Sequence, residues 1–399
     1  MHRIIVDEKK WISEPRFLHA LNFCMLLPGP EAQQLATYLG WLFHGVRGGL
    51  IAGWLFVAPG ALAMGMLSAI YVVWGREGWI GALFFGLKGA VLAIVAEAVL
   101  RLARRAVKST YARVIAAAAF LALFVFNLPY PLVVACAGLA GYFGPRAPQP
   151  PSEPTAALAE EPSLPRTIRV AAFWASLWLT PTLALLVIMP NDILTAISVF
   201  FVKAAVVTFG GAYSVLAYVA QRAVEERHWL SPGEMLDGLG LAETTPGPLI
   251  IVLQFVGFLA ASRGSGGAPS LMLGFAGAAL TTWATFAPSF LWIFVGAPYV
   301  ERLRGRPGLS AALAGVAAAV VGIILNLAVW FAIHTLFTRQ IGVEVGALAL
   351  RMPDPASFDW KAAAIALASF VALFGLRIGM FATLGAAALL GSALYAIGL

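Results

Sequence analysis

Two stretches of the chain carry the same awkward chemistry inside apolar surroundings: "LLPGPEAQQ" at 26–34 and "AETTPGPLII" at 242–251. A proline in a helix interior removes a backbone hydrogen bond and collides with the preceding turn, at about 3 kcal/mol or more. Each Pro-Gly-Pro therefore stops one half-helix and starts another, at Pro28, Gly29 and Pro30 and again at Pro246, Gly247 and Pro248. The second proline of each suits the first position of the new half-helix, whose free amides and dipole present partial positive charge. Two such ends facing one another suit an anion. Around them stand Asn22, Glu31, Gln33 and Gln34 in the first stretch and Glu243, Thr244, Thr245 and Gln254 in the second. The amides and hydroxyls are expected donors to an oxyanion. Glu31 and Glu243 are expected proton carriers, with a simple dipole partnership as the alternative for Glu31.

Further charges fall inside apolar runs, where they are expensive and so point to function. Lys203 lies seven residues before Gly210 in "TFGGAYS", and Lys88 and Glu97 lie in the run 79–100. For Lys203 the alternative is snorkelling to an interface. For Glu97, a third expected proton carrier, it is a pair with Arg101 four residues on. Gly210 and Gly211, following Phe209, would let another backbone approach closely.

These positions need long apolar elements to hold them, and the chain supplies them. Of 399 residues, 61% are hydrophobic and 11% charged, with a mean hydropathy of +0.87. Soluble domains carry about 25% charged residues, so this reads as an all-α polytopic membrane protein of about 12 segments. The net charge of +7 sits in short loops between apolar runs, as the positive-inside rule expects, which argues against nucleic acid. Five histidines form no HExxH or paired pattern, no phosphate loop appears, and Ser residues lack a triad context, so an enzyme is not expected. Cys24 and Cys136 lie in apolar segments without CxxC or His neighbours. They read as buried packing residues, and neither metal nor cofactor is expected.

The chain also repeats itself. Trp11, Ser13 and Pro28 match Trp229, Ser231 and Pro246, each pair 218 residues apart, and Pro59 and Gly86 match Pro288 and Gly315 at 229. The expected units are a first half at 1–143, a Pro-rich cytoplasmic linker at 144–169, an unrepeated helix at 170–190 and a second half at 191–399. The helix bearing "TFGGAYS" has no counterpart before the first half's match begins, so the first half is expected to lack its opening helix. Loop "RLARRAVKSTYAR" belongs in the cytoplasm, which puts 75–78 outside, while the second-half counterpart of 75–78, "ERLRGRPG", belongs inside, so equivalent loops lie on opposite faces. If each Pro-Gly-Pro segment crosses once as a broken helix, the halves are inverted, the plan of many secondary transporters, with the site where the repeats meet.

"WISEPRFLHALNFCMLLPGPEAQQLATYLGW" and "FVKAAVVTFGGAYSVLAYVAQRAVEERHWLS" with the later "ETTPGPLIIVLQFVGF" resemble the two signature regions of the chromate ion transporter family, of the type with two fused homologous halves. The resemblance covers nearly the whole chain apart from the linker and the last helices. It implies an inner-membrane, multi-pass protein that exports chromate and confers resistance, with sulfate or another small anion as the alternative cargo. The partners implied are the oxyanion and the lipid bilayer, with a homodimer allowed. The functional positions it implies are Pro28, Gly29, Pro30, Glu31, Gln33, Lys203, Phe209, Gly210, Gly211, Pro246, Gly247 and Pro248.

Overall fold

The computed structural model describes residues 1–75, 77–145, 163–209, 211–264, 266, 268–299, 307–345 and 348–398. The linker expected at 144–169 therefore falls mostly outside the described residues, as does Gly210. Helices α1 (Glu14–Leu26), α2 (Glu31–Trp74), α3 (Gly78–Ala106), α4 (Thr110–Phe124) and α5 (Tyr130–Phe143) make up the first part. Then come α6 (Leu164–Ile188), α7 (Ile193–Val207), α8 (Ala212–Val219), α9 (Pro232–Thr244), α10 (Val252–Arg263) and α11 (Leu271–Gly296). The chain closes with α12 (Pro307–Leu336), the antiparallel hairpin β1 (Gln340–Val345) and β2 (Leu348–Pro353), α13 (Trp360–Phe370) and α14 (Met380–Ala396). Five of the described helices are long and apolar enough to cross a membrane, and six more apolar helices are shorter.

The 218-residue register recurs in the backbone. α1 and α9 each have 13 residues and start 218 apart, behind the N-cap serines Ser13 and Ser231. The wide turn ahead of each closes through the same bonds, Lys9 N–H to the Ile4 carbonyl (2.8 Å) and Arg227 N–H to the Arg222 carbonyl (3.0 Å). Lys10 and His228 share a positive φ, +51° and +52°, and so do Gly29 and Gly247, +120° and +116°. That last region is open to glycine and strained for other residues.

The expectation of a broken helix crossing once is overturned. A straight run from Trp11 to Phe43 would separate these rings by about 48 Å at 1.5 Å per residue, yet their centroids lie 5.9 Å apart. Phe23 and Tyr38 also meet, at 5.8 Å. Pro28, Gly29 and Pro30 are thus the tip of a helical hairpin, with α1 as one leg and 31–43 as the other. The second motif does the same. Arg263 at the end of α10 donates to Glu234 near the start of α9 (2.7 and 3.1 Å), and Phe255 packs on Gly238. The segment 193–221 is not one helix either, because Phe200 of α7 stacks on Tyr218 of α8 at 5.6 Å, folding the chain back at Phe209. The physical reason is that a tip can satisfy its freed groups on neighbouring chain segments, as buried backbone groups in lipid must be. The Gly29 N–H reaches the Thr208 carbonyl (2.9 Å), and the Gln34 side chain donates to the Pro28 carbonyl (2.7 Å).

α2 itself reverses direction at His44 (φ −137°, ψ 24°) and Gly45 (φ +61°). Its short leg, 31–43, lies back along its long leg, 46–74, where Gly40 is pressed against the Gly48 carbonyl. α11 is the second long helix at the centre, packed on α2, α6, α7 and α10. α12 packs against α4 and α5, and α13 and α14 pack against α3. Cys24 is buried as expected, but Cys136 is exposed on the outer face of α5.

Candidate functional site

Three hairpin tips gather at the middle of the two long helices. On the long leg of α2, a Cβ at Gly60 would overlap the Pro246 carbonyl, and Gly247 lies alongside. On α11, the Gln33 side chain donates to the Phe286 carbonyl (3.3 Å), and the Ser289 hydroxyl is the next neighbour of Gly29. The two Pro-Gly-Pro glycines therefore touch positions of the other half that correspond in the repeat, Gly29 at Ser289 and Gly247 at Gly60.

The hairpins reach these positions from opposite directions. Moving from the second tip towards its base, contacts on α2 climb from Gly60 to Ala61, which accepts from Gln254 (2.8 Å), and then to Tyr71, which donates to Asp237 (2.7 Å). The first hairpin runs beside the other end of that leg, with Thr37 next to Gly49 and Gly53. The third tip, carrying Thr208, Phe209 and Gly211, fits between them. It accepts the Gly29 N–H, brings Gly211 near the Glu31 carboxylate, and lets Tyr213 donate to Glu243 (2.7 Å).

The expected residues divide by what they touch. Pro28, Gly29, Pro30, Glu31, Phe209, Gly211, Pro246, Gly247 and Pro248 form the tips. Gln33 and Gln34 are fully buried and hold the first tip rather than facing a ligand. The Thr244 and Thr245 hydroxyls donate to the Leu241 and Ala242 carbonyls of their own helix (2.8 and 2.9 Å), so they are not the free donors anticipated. Lys203 lies on the exposed face of α7, and Glu97 accepts from Arg101. Asn22 belongs to α1.

The two tips differ in closure. Gly29 and Pro30 are buried, whereas Thr244, Pro246 and Gly247 are exposed. The Gly29 N–H is occupied, while the Gly247 N–H has no acceptor among the described residues.

Sequence reasoning missed Asp237, Tyr71 and Ser289. Asp237 is 4% exposed; one carboxylate oxygen takes the Tyr71 hydroxyl, and the other lies 3.4 Å from Lys88 Nζ. An acidic residue eight before Thr245 in an apolar half-helix was itself a signal, since such charges are costly in lipid. Its partners, 166 and 149 positions away, were not readable.

The sequence profile of the family described as chromate transporter matches residues 1–142 and 195–392. A probable chromate transport protein of Synechococcus elongatus is 28% identical over 364 residues, 89% of this chain and 86% of its own length. Chromate transport proteins of Cupriavidus metallidurans and Pseudomonas aeruginosa are 30% and 34% identical, over 81% of this chain and 74% and 73% of theirs. No solved structure matches the chain.

Proposed function

The chain belongs to the chromate transporter family, a set of multi-pass membrane transport proteins, and from that premise we propose that it exports chromate across the cytoplasmic membrane and so confers resistance. The observation that carries the reading is the placing of two hairpin tips, entering from opposite directions, at repeat-related positions of the two long central helices, Gly247 at Gly60 of α2 and Gly29 at Ser289 of α11. Paired interruptions of this kind mark transporter sites where inverted repeats meet. The two halves, 1–143 and 191–399, are proposed to be inverted, turned over by the unrepeated helix.

Loop charges support the inversion. A hairpin returns the chain to the face it left, but both the Phe209 hairpin and the second Pro-Gly-Pro hairpin do so. The two changes of parity cancel, and α11 still ends on the cytoplasmic face beside Arg302, Arg304 and Arg306, as the positive-inside rule requires. The same rule puts the base of the first hairpin, with Lys9, Lys10 and Arg47, in the cytoplasm.

The oxyanion is proposed to pass the tips at the open Gly247 end, where a backbone N–H is unclaimed, with Glu31 and Glu243 as flanking carboxylates. A dianion leaving a negative interior gains about 2.3 kcal/mol per charge per 100 mV, or roughly 4.6 kcal/mol for two charges. The potential alone therefore suffices to drive export. Uptake of chromate into inside-out vesicles, with sulfate as competitor, tests the reading. Potential-dependent chromate uptake is expected; absence of chromate flux overturns it, and sulfate flux without chromate flux assigns the tips to another anion.

A further inference from the structure

Deep in the second hairpin sits a carboxylate that the passage at the tips does not use. Asp237 lies between α9, α2 and α3, and its two oxygens are unequally served. Oδ2 accepts a hydrogen bond of 2.7 Å from the Tyr71 hydroxyl. Oδ1 is buried, has no hydrogen-bond donor among the described residues, and lies 3.4 Å from Lys88 Nζ, an ion-pair distance without hydrogen-bond geometry. An uncompensated charge in such a place is costly, so the pair stands or falls together.

The surroundings divide the two partners. The Asp237 side chain is 5% exposed, and the Lys88 side chain 26%. The anion is enclosed, whereas its cation has an open side. The other charged groups packed around them are Glu234, one turn before Asp237 on α9, and Arg263 at the end of α10, and these neutralise each other through two hydrogen bonds. Tyr71 is wedged edge-on between Phe84 and Phe255, at 4.9 and 5.1 Å, which fixes its hydroxyl on Oδ2. Of the four charges, only the Lys88 and Asp237 pair is loosely joined.

We propose that Asp237 is a proton-binding residue of the transport cycle and that its protonation releases Lys88 to bind the oxyanion. The step is a simple proton addition. One proton from water joins Oδ1, the oxygen without a donor, and the carboxylate becomes a neutral acid that still accepts from Tyr71. Lys88 keeps its charge and loses its counter-ion, so the site changes from neutral to singly positive. An oxyanion entering from the open side then replaces the carboxylate as partner of Lys88. Loss of that proton restores the ion pair and expels the oxyanion. The pair also bridges α3 to the second hairpin, so exchanging it alters what holds the open Gly247 tip in place.

This inference rests on the transport reading, and two measurements separate their failures. The first is infrared difference spectroscopy of the purified protein during acidification, without any anion cargo. A carboxylic-acid carbonyl band that appears in the wild type and is missing in Asp237→Asn is expected. An identical band in both overturns the proposal, whatever the protein transports. The second is chromate flux in proteoliposomes at fixed membrane potential. Chromate itself takes up a proton near neutrality, so wild type and variant are compared on the same substrate. Wild-type flux is expected to fall about tenfold per pH unit on its alkaline limb beyond the substrate's own titration, the slope of a one-proton site, and Asp237→Asn to lack that fall. Parallel profiles overturn the coupling. Should Asp237→Asn fail to insert, Lys88→Gln with Asp237→Asn, which leaves no unpaired charge, is expected to show the same missing infrared band and to lose chromate flux with the cation that binds the oxyanion; a retained band overturns the proposal. A wild type with no chromate flux defeats the transport reading alone, while the infrared result still decides whether Asp237 takes the proton.

Discussion

The two Pro-Gly-Pro hairpins share a backbone and are fastened by different physics. The first is held by rings and amides. Phe23 meets Tyr38, Phe290 and Phe294 stack near Trp174, and Gln33 and Gln34 tie the tip to carbonyls, with no ion pair between its legs among the described residues. The second is held by charge, through Glu234 with Arg263 at its base and Asp237 with Lys88 and Tyr71 along its leg. Its tip is open where the first is closed. Symmetry of fold thus coexists with asymmetry of fastening. Rings packed at van der Waals distance hold one arrangement, whereas an ion pair can be exchanged for a proton or another anion. The closed hairpin is suited to be the fixed wall and the open one to be the responsive wall.

Lys88→Met should break this contrast most severely. It strands Asp237 as a buried anion, a change worth roughly 3–5 kcal/mol, read as a lower midpoint of thermal unfolding in detergent. Adding Asp237→Asn should restore most of that loss; no restoration would mean that the two charges do not depend on each other. Arg263→Gln opens the base of the same hairpin. Loss of two hydrogen bonds between charged groups should cost about 1.5–3 kcal/mol, with faster proteolysis within 227–235 or 262–270.

Gly29→Ala against Gly247→Ala sharpens the comparison at the tips. Both force a side chain into a positive-φ conformation, at about 1–3 kcal/mol. Only at Gly29 does the new methyl also meet a side chain closely, 2.9 Å from the Gln34 amide nitrogen, while at Gly247 nothing is nearer than 3.6 Å. Gly29→Ala should therefore lower the unfolding midpoint more, and Gly247→Ala should lower chromate flux with the smaller stability change. The smallest effect is expected for Glu97→Gln. Its partner Arg101 is 65% exposed, and surface pairs contribute roughly 0–1 kcal/mol. A change in flux as large as that of Gly247→Ala would place Glu97 in the pathway after all.

The breaks themselves were legible from residue type, because proline lacks an amide hydrogen and only glycine accepts the φ of the turn. The 218-residue register was legible as well, down to Lys10 and His228, whose shared left-handed backbone follows from matched neighbours. What misled was continuity. An apolar run flanking Pro-Gly-Pro looks the same whether it passes through or turns back, since both outcomes bury the same side chains. The Thr244 and Thr245 hydroxyls likewise had local carbonyls in reach, and a local bond is made before a ligand arrives.

By itself, then, the sequence determined the membrane setting, the 218-residue register, the family and the positions of the two Pro-Gly-Pro interruptions, all of which depend on local composition and spacing. Only the tertiary structure decided that each interruption is a hairpin tip, that Gly29 is closed by Thr208 while Gly247 stands open, and that Lys88 faces Asp237. Those facts rest on contacts between residues as many as 179 positions apart in the chain, and such contacts are chosen by what the folded surroundings leave unsatisfied.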